Sequence, residues 1–157
     1  MTTAKDEAHE QLRAWASGSY PLEAATELLI RSFHGRFVEP GWPWVHRTDH
    51  GQWIDFAAIP EQISGQSGGE QRLLRIAASI GATDASVNLG DCLTGLDRPT
   101  LHLVLGAVAH TAGSHQHREV TTNPNGTITF TTPGSPHPWR TTEESPVDAG
   151  SFTGRSL

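Results

Sequence analysis

The segment RPTLHLVLGAVAHTA, residues 98–112, carries the clearest helical pattern in this sequence. Its apolar residues recur at intervals of three and four, which places them on one face of an α-helix. Asp97 is suited to cap the helix at its start and Gly113 to end it, since these residue types are favoured at those positions. The apolar face is wide, which predicts a central buried helix. Its residues are Leu101, Val104, Leu105 and Val108, widened by Leu103 and Ala107.

Other parts of the chain have the same helical spacing of apolar residues. The predicted helices are residues 5–17, 21–33 and 68–80, and residues 88–95 predict a short helical turn. Gly18 should end the first helix and Ser19 should cap the second, which makes the two a helical hairpin. Gly81 is the expected end of the helix over 68–80. The chain therefore has about four helices.

Two segments predict β-hairpins. In residues 35–56, two short apolar and aromatic runs flank Asp49-His50-Gly51, a sequence suited to a tight turn. Three tryptophans in this segment are expected to pack the hairpin onto the helices, and an aromatic recognition surface is the alternative. They are Trp42, Trp44 and Trp53. Beyond Glu119, apolar residues alternate with threonines around Asn123-Pro124-Asn125-Gly126, which predicts a second hairpin.

These elements predict an α+β fold, with about four helices around the 98–112 helix and two β-hairpins. Residues 1–131 are expected to form a single globular domain, since 157 residues with 36% hydrophobic content supply one modest core. Residues 132–157 are rich in Pro, Ser, Thr and Gly, and they hold few apolar side chains. Such a segment buries too little surface to offset its ordering entropy, so a disordered tail is predicted.

Charge and hydropathy exclude several classes of function. The formal net charge is −6, which argues against a nucleic-acid partner, because such proteins usually present a basic face. No apolar run is long enough to span a bilayer, so no membrane association is expected. The polar start MTTAKDEAHE does not resemble a secretory signal, which predicts a cytoplasmic location. Cys92 is the only cysteine, and a small buried hydrophobe is its expected role rather than a nucleophile.

The segment SGGEQR, residues 67–72, resembles the signature segment of ABC-type ATPases. In that family the signature serine and its neighbouring amides contact the γ-phosphate across a dimer, at a helix N-terminus. The resemblance implies that Ser67, Gly68 and Gly69 contact a nucleotide cofactor. The sequence has no phosphate-binding loop of the Walker A type, so this chain would act only as a degenerate partner of such an ATPase. The alternative is a capping box, in which Ser67 and Glu70 satisfy the first amides of the helix.

A broader likeness covers most of the chain up to Ser114. Here the sequence resembles small proteins of high-GC actinobacteria and of their mobile elements, a group with no known activity. The resemblance therefore implies a mobile-element, phage or accessory origin, and it assigns no catalytic residue.

Histidines form the second candidate site. Nine are present, and His110, His115 and His117 fall within the short segment HTAGSHQH. His102 shares a helix face with His110, two helical turns away. Neutral imidazoles that converge can hold zinc or another divalent metal, with oxygen ligands from Asp or Glu. The alternative is that these histidines are ordinary loop and helix-end residues, since no HExxH motif is present.

Three functions follow from these observations. The favoured one is a non-catalytic protein-interaction or regulatory protein with a protein partner. The second is a metal-dependent enzyme that uses the four histidines as ligands. The third is the degenerate partner of an ABC-type ATPase. Whether the protein is an enzyme is left open by the sequence.

Overall fold

The computed structural model describes residues 2–139, which form five α-helices, three 3₁₀ segments and two antiparallel β-hairpins. The helices are α1 (Ala4–Ala16), α2 (Tyr20–Arg31), α3 (Gly68–Gly81), α4 (Leu89–Leu93) and α5 (Arg98–Thr111). The strands are β1 (Val45–Thr48), β2 (Gly51–Ile54), β3 (Glu119–Thr122) and β4 (Ile128–Thr131). The 3₁₀ segments are Phe33–Val38, Phe56–Glu61 and Ser114–Gln116. The predicted α+β class is confirmed.

The core is built around α2 and α3. Helix α2 packs against α1, α3 and α5, and α3 also packs against the 3₁₀ segment Phe56–Glu61. Both helices bury a broad apolar face, which for α2 includes Leu28 and Leu29 and for α3 includes Leu73 and Leu74. Burying side chains of this size is the main source of stability in a domain of this length.

Local side-chain caps define where the helices begin. The predicted caps Ser19 and Asp97 are confirmed, because their side chains accept hydrogen bonds from the backbone N–H groups of Leu22 and Thr100. A reciprocal capping box forms at the start of α1, where Thr3 and Asp6 each bond the other's backbone N–H. These interactions satisfy amides that have no partner within their own helices.

Helix α5 buries only one side of its predicted apolar face. Val104 and Ala107 are buried where α5 packs on α2. The expectation that Val108 belongs to the buried face is wrong, since its side chain is 49% exposed. Gly113 ends this helix region as predicted, with φ of 73° in the left-handed region.

Helix α3 ends at Gly81, as predicted, although Gly81 is not among the glycines with positive φ. It is the last residue of α3, and Ala82 follows it as the C-cap with extended dihedrals. The reason for a glycine here is packing, because a Cβ at this position would lie 2.4 Å from the Phe56 ring. The glycine therefore lets the aromatic ring contact the backbone of α3.

The β1–β2 hairpin packs on α1 through β2, where the ring centroids of Trp53 and Trp15 are 6.5 Å apart, and two further tryptophans precede β1. Trp44 is fully buried and donates its indole N–H to the carbonyl of Phe37 at 2.9 Å. Trp42 stacks on Trp44 with ring centroids 4.8 Å apart and bonds the carbonyl of Arg36. The hairpin turns at Asp49-His50, with Thr48 paired to Gly51.

The β3–β4 hairpin has the predicted turn but little contact with the core. Gly126 donates its N–H to the carbonyl of Asn123 at 2.9 Å, as in a type I turn, and has φ of 81°. All eight strand residues are exposed. This hairpin is therefore a projection from the domain rather than a wall of its core.

Residues 132–139 of the predicted tail lie within the described structure, and residues 140–157 lie outside it. Trp139 is partly buried and packs against the hydrophobic core. Its ring approaches Gly106 of α5 so closely that a Cβ there would lie 3.1 Å from it. Trp139, eight residues past the predicted boundary at 131, is therefore packed on the domain. Among residues 2–139, no helix combines the length and apolar character needed to cross a membrane.

Candidate functional site

Two of the four predicted metal-ligating histidines come together at the end of α5. The left-handed turn at Gly113 reverses the chain, and the 3₁₀ segment Ser114–Gln116 brings His115 over His110. Their imidazole rings are parallel within 5° and their centroids are 4.0 Å apart. Tyr20 meets both rings edge-on, at 5.8 and 4.9 Å. The result is a compact aromatic cluster.

The other two histidines are not part of this cluster. His102 lies about 12 Å from His110 along the helix axis, since eight residues at about 1.5 Å each separate them. His117 is exposed at the entry to the β3–β4 hairpin. In the part of the chain that the structure describes, no group of three or more His, Cys, Asp or Glu side chains could hold a metal ion. The four histidines therefore do not assemble as a ligand set there.

The environment of His110 favours the neutral imidazole. Burial lowers its pKa, and the adjacent His115 lowers it further. The carboxylate of Glu23 opposes this shift from 3.8 Å, a separation too long for a hydrogen bond. Nε2 of His110 is buried and makes no hydrogen bond to any residue in 2–139. Burial and His115 thus favour the neutral form of the ring, and its Nε2 has no hydrogen-bond partner among the described residues.

The predicted phosphate-contacting residues lie at the start of α3. Ser67 is the N-cap and is exposed, and Gly68 and Gly69 are the first two helical residues. Glu70 places one carboxylate oxygen 2.7 Å from the Ser67 hydroxyl and the other 2.8 Å from the Arg36 guanidinium. A carboxylate of the chain itself therefore already occupies the first turn, where an anion would be favoured.

One of the two hydrogen bonds of the predicted capping box at Ser67 is present. The Ser67 hydroxyl accepts a 3.4 Å hydrogen bond from the Glu70 backbone N–H. The Glu70 carboxylate does not return to the Ser67 backbone, because one oxygen accepts from the Ser67 hydroxyl and the other forms an ion pair with Arg36. The segment thus forms a one-sided cap with an added ion pair.

Cys92 is a buried side chain, as expected. It is 5% exposed and belongs to the hydrophobic core. Burial raises the pKa of its thiol, which disfavours the reactive thiolate. This environment is that of a small core residue rather than of an activated nucleophile.

The largest exposed apolar side chains of the β-structure lie on the β3–β4 hairpin. Val120 pairs directly with Phe130, and Thr122 pairs with Ile128. Because side chains two residues apart share a face of a strand, these four residues lie on one face of the hairpin. Phe130 is 68% exposed, and Val120 and Ile128 are 60% and 59% exposed. We call Val120, Ile128 and Phe130 the apolar hairpin face.

The opposite face of the hairpin is polar. It carries Glu119, Thr121, Thr129 and Thr131, which alternate with the apolar positions. The hairpin is therefore amphipathic, yet neither face is buried. An amphipathic hairpin normally turns its apolar side to a core. Here that side is in solvent.

The apolar hairpin face was not predicted as a functional surface. The alternation of apolar residues with threonine is visible in the sequence and predicted the hairpin itself. Alternation marks one side of a strand as apolar, but it does not say whether the domain supplies a surface to cover that side. Only the position of the hairpin relative to the helices shows that no element of residues 2–139 covers its apolar side.

Neither family models, nor characterised proteins, nor solved structures match this chain or its fold.

Proposed function

We propose that this protein is a non-catalytic protein-interaction protein and that the β3–β4 hairpin is its docking element. The observation that carries the proposal is the apolar hairpin face, three large apolar side chains that are each about 60% exposed or more. A two-stranded hairpin is only marginally stable in water on its own. A partner that covers this face would stabilise the hairpin and remove its apolar surface from water.

The energetic gain from covering this face is substantial. Burying one such side chain fully contributes roughly 1.5–3 kcal/mol, so three partly exposed ones contribute on the order of 3–6 kcal/mol. Association costs several kcal/mol in lost translational and rotational freedom. The hairpin can therefore anchor a partner, but a stable complex also needs contacts beyond it.

The face is too small to form a stable complex by pairing with its own copy. Specific interfaces bury about 800 Å² on each partner, and three side chains cover only a part of that area. A partner with a concave apolar groove fits better, because it covers both the face and the edges of the hairpin. Such a partner would cover the apolar face and would also pair with the backbone of the free strand edges.

Site-specific photo-crosslinking in cells that naturally contain the protein tests this proposal. A benzophenone amino acid is placed at Phe130 on the apolar face and, as the matched control, at Thr129 on the polar face. We expect a discrete heterologous adduct from position 130 that excess unlabelled protein suppresses and excess Phe130→Ser protein does not. Position 129 should give little of it.

Two outcomes contradict the proposal. Adducts of equal yield from both faces would show that contact does not depend on the apolar side. Adducts that the Phe130→Ser protein suppresses as well as the unaltered protein would show that the apolar side chain contributes nothing. An adduct with a second copy of the chain, matched by dimerisation in light scattering, would replace the groove-bearing partner by self-association.

A further inference from the structure

A pocket of about 320 Å³ lies between α1 and the β1–β2 hairpin, and residues 38–40 close one of its sides. Helix α1 packs on β2, so both walls belong to anchored elements of the domain. The volume is at the lower end of the range of small-molecule sites, roughly 300–1,000 Å³. The pocket is separate from the β3–β4 hairpin, so its use does not depend on the proposed protein docking.

The hairpin wall of the pocket holds a buried amide that has no partner. Gln52 of β2 is 6% exposed, and its side chain makes no hydrogen bond among the described residues. Its Oε1 is sealed from solvent, whereas Nε2 retains accessible surface. The N–H groups of this amide are therefore the part of Gln52 that a ligand in the pocket can reach. Buried polar groups are normally satisfied, because an unmade hydrogen bond costs free energy.

Arg47 lies directly across the hairpin from Gln52, as its partner in the strand register. Cross-strand partners project from the same face of a hairpin, with Cβ atoms about 4.5–5.5 Å apart. Both residues line the pocket, and Arg47 forms no ion pair among the described residues. The two side chains therefore present N–H donors to the same part of the pocket. A carboxylate suits such a pair, since guanidiniums bind carboxylates through two parallel hydrogen bonds.

The charges that line the pocket balance. Lys5 and Glu39 approach each other at 3.6 Å and compensate each other. Glu7 of α1 forms no ion pair in the part of the chain that the structure describes. Burial lowers the pKa of His9, the other basic group in the wall, which favours its neutral form. The pocket therefore has no net charge, and its unpaired charges are Arg47 on the hairpin side and Glu7 on the α1 side.

We propose that this pocket binds a free α-amino acid, its carboxylate against Arg47 and Gln52 and its ammonium against Glu7. Such a ligand carries one charge of each sign on a single carbon, which matches one unpaired charge of each sign in a pocket without net charge. Arg47 and Glu7 are exposed, so each charged contact alone is modest, and selectivity depends on combining them with the buried amide.

The rest of the wall favours an aliphatic side chain on the ligand, because it is largely made of small apolar residues. They are Ala4, Ala8, Val38 and Pro40.

Three probes with one side chain test the proposed pairing. Leucine carries both charges, N-acetylleucine lacks the ammonium, and leucinamide lacks the carboxylate. Each is titrated into the full chain at pH 7.0 and followed by two-dimensional NMR of the backbone and side-chain N–H groups. We expect saturable shifts of the Gln52 side-chain signals with leucine and at least tenfold weaker binding of the other two probes.

Substitutions on the hairpin side test the carboxylate contacts. Arg47→Gln should weaken leucine at least fivefold, while Arg75→Gln, the same change at an exposed position of α3, should leave it unaltered. Gln52→Met keeps the length of the side chain and removes the amide. It should weaken leucine severalfold without lowering the stability of the free protein, because no hydrogen bond is lost.

A substitution on the α1 side tests the ammonium contact. Glu7→Gln should remove most of the preference for leucine over N-acetylleucine, and Glu61→Gln, at an exposed position outside the pocket, should preserve that preference. The spectra show whether each variant is folded. Because Arg47 and Glu7 are exposed, their variants test the proposal even if Gln52→Met does not fold.

Three results would overturn the proposal. N-acetylleucine or leucinamide binding as tightly as leucine would remove the pairing at one end of the ligand. Equal effects of Arg47→Gln and Arg75→Gln would assign binding to the overall charge of the protein. The absence of saturable shifts at Gln52 with all three probes would show that the pocket takes no ligand of this class. None of these results bears on the β3–β4 hairpin.

Discussion

At the scale of single residues, one close contact explains why position 81 holds a glycine. A helix interior usually favours Ala over Gly by about 1 kcal/mol. The Phe56 ring removes that advantage, because a Cβ at position 81 would lie 2.4 to 2.9 Å from three of its ring carbons. Phe56 is itself 2% exposed and cannot turn into solvent without losing its packing.

Gly81→Ala should therefore destabilise the protein by about 1–3 kcal/mol, the usual cost of overpacking a core. Urea unfolding measures this change in the free energy of unfolding. Gly69→Ala is the matched control, since Gly69 lies in the same helix and a Cβ there meets nothing within 4 Å. Destabilisation of the same size in both variants would rule out the contact with Phe56 as the cause.

A second contact at the residue scale is the ion-pair cluster around Glu27 of α2. Glu27 is a single carboxylate that holds two guanidiniums, from Arg13 in α1 and Arg31 in its own helix. Burial alone would raise its pKa, but the hydrogen bonds from Arg13 and Arg31 lower it below its usual value. This cluster joins α1 to α2.

At the scale of elements, the two hairpins differ in how they are anchored. The β1–β2 hairpin contributes buried residues, including Ile54 and the preceding Trp44, and α1 packs on β2. The β3–β4 hairpin contributes none, and its strands contact chiefly each other. Sequence patterns alone rank the two as similar elements, although their energetic roles in the free protein are different.

The β3–β4 hairpin should open without unfolding the domain. Its amide protons are expected to exchange with solvent through low-energy local openings, while those of α2 and α3 exchange only through openings close to global unfolding. Phe130→Ser should change the free energy of unfolding by less than about 0.5 kcal/mol, as surface substitutions usually do. Native-state hydrogen exchange and urea unfolding provide the two measurements.

Leu28→Ala in α2 serves as the reference for that experiment, because it removes a fully buried side chain and should cost about 2–5 kcal/mol. If the hairpin amides were as protected as those of α2, or if Phe130→Ser approached the cost of Leu28→Ala, the hairpin would be part of the core. The docking element proposed above would then lack a free apolar face.

At the scale of the whole molecule, the free energy of unfolding depends on pH through histidines and carboxylates on several helices. Burial lowers the pKa of His9 in α1 and of His110 in α5 below the ordinary value of 6.5. As the pH falls below about 6.5, the unfolded chain therefore takes up protons before the folded one does. The stability contributed by these neutral imidazoles is complete above that pH and is lost as the pH falls through their folded-state pKa.

The free energy of unfolding should accordingly decrease as the pH is lowered from 7.5 towards 5. A second decrease should follow at lower pH, where Glu27 and Asp97 become protonated, because hydrogen bonds hold their folded-state pKa values below their usual ones. Urea unfolding at half-unit pH intervals measures both. The carboxylate decrease begins only below about 4.5, the ordinary pKa of Glu27.

His110→Asn should flatten the first decrease, whereas His117→Asn, at an exposed position, should leave it unchanged. A profile that is flat between pH 7.5 and 5 in the unaltered protein would contradict the neutral, buried state of His9 and His110. An equal effect of both substitutions would assign the dependence to overall charge instead.

Much of the secondary structure was predictable because its signals are local. Ser19 and Asp97 cap helices three residues before the amides that they bond, and Asn123 to Gly126 close a turn within four residues. Such interactions need no information from distant parts of the chain. The candidate site was predictable only in part. The pairing of His110 with His115 depends on a short local turn, but His102 and His117 share no local geometry with them.

The amino-acid sequence by itself therefore determined the helices and hairpins, their caps and turns, and the burial of Trp44 and Cys92, because side-chain periodicity and short-range hydrogen bonds act within a few residues. Tertiary structure alone decided which apolar faces are covered. Val108 and the apolar hairpin face are exposed, and Trp139 is packed, because neighbouring elements either lie over a face or do not. It also decided the pocket, since Glu7 lies in α1 and Arg47 and Gln52 lie in the β1–β2 hairpin, and only packing brings these elements together.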